Sequence, residues 1–136
     1  MGHSRAKAAL SLAAAGLLMG SCASYRSAAS AEEYYSLGTA YFDLGKYAEA
    51  EKWFGRAAAA DKTRRASEYN LGRIAFEQGR YAEAAERFES LLSADPDNIP
   101  ALKGAAFSRL RAGEGERAEA HYRRIVALVP ESLDSR

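Results

Sequence analysis

Across residues 31–129, apolar positions fall into two alternating helical rhythms. Tyr34, Leu37, Gly38 and Tyr41 stand at i, i+3, i+4 and i+7, one face of a helix. Past Gly45, the residues Tyr47, Ala50, Phe54 and Ala57 make a matching face on a second helix. The first helix also carries a second stripe, Tyr35, Thr39, Phe42 and Asp43, at i, i+4, i+7 and i+8. Ser30 stands three residues before Glu33, the spacing of a capping box. Gly45 lies where a helix C-cap is wanted. The pattern predicts helices over about residues 31–44 and 46–60.

The same pattern returns every 34 residues without a gap. Leu37, Gly38, Gly45, Tyr47, Ala50 and Phe54 recur as Leu71, Gly72, Gly79, Tyr81, Ala84 and Phe88. One period further on, Gly79, Ala84, Phe88, Leu91 and Pro96 become Gly113, Ala118, Tyr122, Ile125 and Pro130. This predicts helices over about residues 65–78, 80–94, 99–112 and 114–129. Asp95-Pro96-Asp97-Asn98 ends one helix, and Asn98 can cap the next. The units span residues 31–64, 65–98 and 99–132. An isolated helix pair cannot bury both stripes of its first helix, whereas stacked neighbours can, so the period signals a repeat array.

The residues at these positions resemble the tetratricopeptide repeat. Unit one matches it with Tyr34, Leu37, Gly38, Tyr41, Ala50, Phe54 and Ala57, and has Lys62 where the family has proline. Unit two keeps Leu71, Gly72, Ala84, Phe88 and Pro96 and departs at Glu68, Ala75 and Leu91. Unit three keeps Leu102, Ala118, Tyr122 and Pro130, with Ala105-Ala106 for Leu-Gly, Arg109 for an aromatic and Ile125 for alanine. The resemblance implies an all-α fold, a right-handed α-solenoid of three helix-turn-helix repeats. It also implies a concave side lined by the first helix of each unit, where peptides or partner helices bind. Carried over by position, that face holds Tyr35, Thr39, Phe42 and Asp43, then Tyr69, Arg73, Phe76 and Glu77, then Lys103, Phe107, Leu110 and Arg111. Rings among a few charges suit a peptide, because rigid aromatics give contact area at low entropy cost. Phe42, Phe76 and Leu110 share one repeat position, and packing the first helices of adjacent units together is the competing role for them. Some family members clamp a C-terminal carboxylate with Lys, Asn and Arg side chains. The matching positions here are Tyr35, Thr39, Asn70, Pro100 and Gly104, and Asn70 alone fits.

The first thirty residues follow a different logic. Arg5 and Lys7 precede an uncharged, mostly apolar run from Leu10 to Gly20. That run is the length of a secretory signal core and short of the about 20 residues a membrane span requires. Leu18-Met19-Gly20-Ser21-Cys22 resembles a bacterial lipobox, with Met19 where leucine is commoner. The resemblance implies removal of residues 1–21 and acylation of Cys22, the only expected non-protein group, which would anchor the chain to the cell envelope. Ordinary cleavage around Ser21-Cys22-Ala23 is the alternative. Residues 22–30 then form a small, polar tether, its last eight residues reaching at most about 28 Å. By analogy with sorting in enteric bacteria, Ala23 after the cysteine favours the periplasmic side of the outer membrane.

A formal net charge of +1 is not the profile of a nucleic-acid coat. One cysteine cannot close a disulfide within the chain, and with two histidines it makes a poor basis for a zinc site. His121, placed at a variable position beside Tyr122, reads as a surface residue, and no nucleophile-base set or phosphate-cradling loop accompanies it. Trp53 reads as packing on the convex side. No enzymatic role is expected. Residues 133–136 form a short tail, a possible start of a capping helix, and Ile125, Val126, Leu128 and Val129 are apolar residues for it or a partner to cover. The expected function is a membrane-anchored scaffold binding a peptide or partner protein through its concave face. The alternative is a lipoprotein that self-associates through its last helix.

Overall fold

A computed structural model describes residues 29–129. Six helices follow one another: α1 Ala31–Asp43, α2 Tyr47–Ala57, α3 Asp61–Glu77, α4 Tyr81–Ala94, α5 Ile99–Arg111 and α6 Gly115–Leu128. Successive helices pack together along the whole series, and α3 also touches α1 and α5. The array is an all-α solenoid of three helix pairs. Residues 1–28, with the candidate leader, Cys22 and most of the tether, lie outside the described residues, as do residues 130–136.

The turns inside the pairs share one construction. Gly45, Gly79 and Gly113 have φ of 69°, 75° and 82°, a region open to glycine at little cost. The amide of Gly45 donates to the Phe42 carbonyl, and that of Lys46 to Tyr41, both at 2.9 Å. These are the two bonds of a Schellman cap, and α3 and α5 end in the same way. Such a cap brings the residue after the glycine against the residue five before it. Lys46 therefore lies 6.0 Å from the Tyr41 ring centroid. In the third pair the same geometry brings Glu114 to Arg109.

At the other helix ends, Ser30 and Glu33 form the expected capping box, with bonds of 2.6 and 3.2 Å. The Asn98 side chain accepts from the Ala101 amide at 3.0 Å. The α2–α3 junction differs from the expected one. Lys62 permits helix where proline would restrict it, so α3 starts at Asp61, four residues before the second unit. Buried Thr63 bonds back to the Ala57 carbonyl and fixes the turn.

Alanines and glycines let the helices approach, and one phenylalanine per pair fills the gap in the first two. Phe54 and Phe88 are almost wholly buried. A Cβ on Gly38 would lie 2.7 Å from the Phe54 ring, so only glycine fits there. Phe88 is gripped from two sides, by Gly72 of α3 and Gly104 of α5. Leu37, expected on the buried face, is 39% exposed because α1 has no preceding unit among the described residues.

One departure from the repeat pattern is matched by another across the helix pair. Tyr34 stacks on Trp53 in the first pair, with ring centroids 5.7 Å apart. One period on, Glu68 and Arg87 take those two places and form an ion pair at 3.0 Å.

Candidate functional site

The first helices of the pairs line one side of the array. Between α3 and α5 a cleft of about 580 Å³ is lined by Tyr69, Arg73, Phe76, Glu77, Phe88, Ile99, Pro100, Lys103, Gly104 and Phe107. Its floor is the Phe88 ring, reachable because Gly104 has no side chain. A neighbouring hollow of about 440 Å³ is shared by Tyr35, Arg65, Tyr69, Asn70, Arg73 and Pro100 among others.

The structure gathers some of the residues expected on this face and leaves others aside. Tyr69, Arg73, Phe76, Lys103 and Phe107 meet in the cleft, and Tyr35 borders the hollow. Thr39 is exposed, lines neither space, and bonds the Tyr35 carbonyl of its own helix at 3.1 Å. Phe42 is half-buried against Tyr47, with ring centroids 5.6 Å apart. Phe76 packs in the same way on Tyr81 at 5.2 Å, though it also borders the cleft. Leu110, at the same repeat position, is 53% exposed and borders neither space. Phe42 and Phe76 thus pack inside their own pairs, and Phe76 borders the cleft as well. Tyr35 and Tyr69 border these spaces and also pack: each meets the phenylalanine of its own pair edge-on, with centroids 5.4 Å apart.

Buried Asn70 organises the polar side. Its amide nitrogen donates to the Tyr35 hydroxyl at 3.0 Å and to the Ala66 carbonyl at 3.1 Å. Its oxygen accepts from Arg73 at 3.1 Å. The Arg73 guanidinium lies 4.3 Å from the Phe42 ring centroid, which carries the charge across from α3 to α1. Arg111 likewise lies over Tyr81 at 4.7 Å. Lys103 and Phe107 are exposed on α5. The cleft thus offers four aromatic rings, two cations and one carboxylate, Glu77. Ile99, Pro100, Gly104 and Phe88 were not expected to line it. Gly104 had a sequence signal, since glycine replaces a side chain where the earlier units have Ser36 and Asn70.

His121 is not the surface residue expected. Its side chain is 18% exposed, and Nε2 lies 3.0 Å from Glu89 Oε1. Glu89 also receives both arms of Arg109, at 2.9 and 2.5 Å, and Arg117 at 3.5 Å. Arg109 is buried and completes its bonding with Glu114 at 2.9 Å. The hydrogen bonds from Arg109 hold the Glu89 carboxyl down at about 2, against the opposing effect of burial. The same bond raises the Arg109 pKa, so this pair is ionised together. The cluster joins α4, α5 and α6 away from the cleft. Among the described residues, no group of three or more His, Cys, Asp or Glu is placed to hold a metal ion, and no helix is long and apolar enough to cross a membrane.

Two family models described as tetratricopeptide repeat match the chain, over residues 35–99 and 75–135. No curated protein matches. Among solved structures, a crystal structure of MamA protein is similar at 26% identity, with a TM-score of 0.67 over 72% of this chain and 54% of that one. The chain thus spans about half the length of that relative. The first tetratricopeptide domain of Spaghetti (RPAP3), solved bound to the HSP90 peptide SRMEEVD, shares the fold at 22% identity and a TM-score of 0.68, over 76% of this chain and 82% of that one. The Arabidopsis OM64 tetratricopeptide domain does so at 16% and 0.66, over 76% and 85%.

Proposed function

This chain belongs to the tetratricopeptide repeat family, and from that premise we propose that it is a non-catalytic, membrane-anchored scaffold that captures an extended peptide segment in the α3–α5 cleft. One observation carries the reading. Tyr69, Phe76 and Phe107 surround a floor of Phe88, while Arg73 and Lys103 stand at the same opening. Arg73 is held by a neutral amide and a ring, so its charge is available to a ligand. A peptide with an apolar side chain next to a carboxylate matches this arrangement: the side chain covers Phe88, and the carboxylate meets the two cations. The similar fold that was solved with a peptide bound makes this use of the architecture reasonable.

The anchoring part of the proposal rests on the lipobox-like Leu18–Cys22 and the apolar run before it. With acyl chains on Cys22, the repeats would work beside a membrane of the bacterial envelope, with the outer membrane as the favoured location. Cys22→Ser is expected to abolish labelling by a radioactive lipid precursor in cells, and labelling that persists would overturn this part.

The binding part is tested by crosslinking in cells, identification of the captured protein, and titration of its peptides. Arg73→Ala with Lys103→Ala is expected to weaken capture about tenfold or more, as charge-assisted contacts at a partly buried opening do. Tyr69→Ala is a poorer probe, because Tyr69 also packs on Phe88. A second reading, self-association, has an observation of its own. α6 and its end expose Val126 and Val129, 58% and 39% accessible. A stable homodimer in solution, lost on Val126→Glu, would favour it.

A further inference from the structure

The end of the first helix pair from which the tether departs carries aromatic rings under cations. Tyr34 stacks on Trp53 with ring planes 24° apart. Arg56 lies over both rings, 4.8 Å from the Trp53 centroid and 5.7 Å from that of Tyr34. Lys52 lies 5.5 Å from the Trp53 centroid. Lys62 reaches Glu32 in the first turn of α1 at 2.7 Å, which places the start of α3 beside the start of α1. Residues 52–65 contain five basic side chains, Lys52, Arg56, Lys62, Arg64 and Arg65, against Asp61 alone. All five are exposed.

Many cations of the array pair with carboxylates, Lys62 with Glu32 and Arg64 with Asp61 among them, while Lys46, Arg73 and Arg111 lie over rings. Arg80 pairs with Glu51 and Glu83, Arg87 with Glu68 and Glu83, Arg123 with Glu119, and Arg124 with Asp97. Lys52 and Arg56 share one stacked pair of rings, so two charges are offered outward above a single apolar body. Amphipathic rings with Lys and Arg around them are the composition that settles at the headgroup level of a bilayer. Residue 30 leaves α1 at this same end, a few residues from Cys22.

We propose that the Tyr34–Trp53 stack with Lys52, Arg56 and Lys62 is a membrane-facing surface that rests on anionic phospholipid headgroups and orients the array on the bilayer. This rests on the anchoring reading given above. An acyl anchor on Cys22 would by itself limit only how far the array can lie from the bilayer. The patch fixes the rotation, so the peptide cleft keeps one direction relative to the membrane.

Trp53 is the only tryptophan and sits in the patch, so it reports directly. Protein from the membrane fraction is placed in vesicles of phosphatidylglycerol and phosphatidylethanolamine, and in vesicles of phosphatidylcholine alone. It is held there by its own acyl chains or, where these are absent, by coupling the Cys22 thiol to a maleimide lipid. Acrylamide is expected to quench Trp53 about twofold less on the anionic vesicles, and added salt should close the gap. Lys52→Gln with Arg56→Gln should remove the difference while leaving helicity unchanged. Equal quenching of the wild-type chain on both vesicles overturns the proposal. Missing acyl chains count against the anchoring reading alone, because the coupled protein still decides the question of the surface.

Discussion

Arg109 shows how one residue can depart from a repeat and still fit the fold. An aromatic belongs at this position by the pattern of unit one, where Tyr41 stands. A buried guanidinium there is tolerable because three neighbours changed with it. The earlier units have Lys46 and Arg80 after the turn glycine, and the third has Glu114. Glu89 stands where unit one has Gly55, and His121 where it has Trp53. The reversal of sign at Glu114 was visible in the sequence, but the Schellman contact that makes it meaningful was not. Arg109→Ala leaves Glu89 without its main partner and is expected to cost about 3 kcal/mol, whereas Arg109→Met should cost less by keeping the volume filled. Melting in denaturant checks both, and a loss below about 0.5 kcal/mol for the alanine variant would show that the cluster is slack. The same pair predicts an acid response. Glu89 has its folded pKa lowered to about 2 from an ordinary 4.5. Its contribution is therefore complete above about pH 5 and is lost as pH falls towards 2, by up to about 3 kcal/mol. Glu89→Gln should flatten this part of the stability profile, and an unchanged acid limb would remove Glu89 as its source.

At the scale of elements, the 34-residue period carries the order of the six helices and the glycine turns inside each pair. What it could not supply was the division of labour within a stripe. Tyr35, Phe42, Tyr69 and Phe76 lie on the predicted concave face, yet each ring packs on an aromatic of its own pair. Helical periodicity says which way a residue points, while ring size decides whether it also reaches the neighbour. The α2–α3 junction departs from the period for a related reason. Replacing proline by Lys62 removes a stop, and a missing stop leaves no positive signal. Gly104 is the element-scale position with most at stake. A Cβ there would lie 2.8 Å from three atoms of the Phe88 ring. Gly104→Ala is expected to push α5 from α4 at a cost of about 1–3 kcal/mol, since Phe88 is also held by Gly72 and has little room to yield. It should also lower peptide affinity, because the methyl group covers the cleft floor. Gly55→Ala, at an exposed helical position with nothing within 4 Å, is the control and should be neutral or stabilising. If both changes behave alike, the tight contact at Gly104 has no energetic meaning.

For the molecule as a whole, the two junctions between pairs are built with different chemistry. The first is crossed by Arg80 and Glu51, 3.2 Å apart with side chains 35% and 38% exposed. The second is crossed by Arg109 and Glu89, with Arg109 only 4% exposed, which holds it when salt screens its other, exposed pair, Arg124 and Asp97. Salt screens exposed charges well and buried ones poorly. In a linear array stability is a sum of unit and junction contributions, so weakening one junction shows locally. Native-state hydrogen exchange followed along the chain is therefore expected to speed up in α1 and α2 on going to about 1 M salt. Core amides of α4 and α5 should change little. A uniform response in all six helices would show that the array opens as one unit and that the two junctions are equivalent. The asymmetry matters for binding. The α3–α5 cleft lies across the second junction, the one secured by the buried pair, so its rings and cations are already in place when a peptide arrives. The first pair, joined by the more salt-sensitive contact, carries the end that is proposed to meet the membrane. Strain applied through a tether would reach α1 and α2 first and leave the cleft in register.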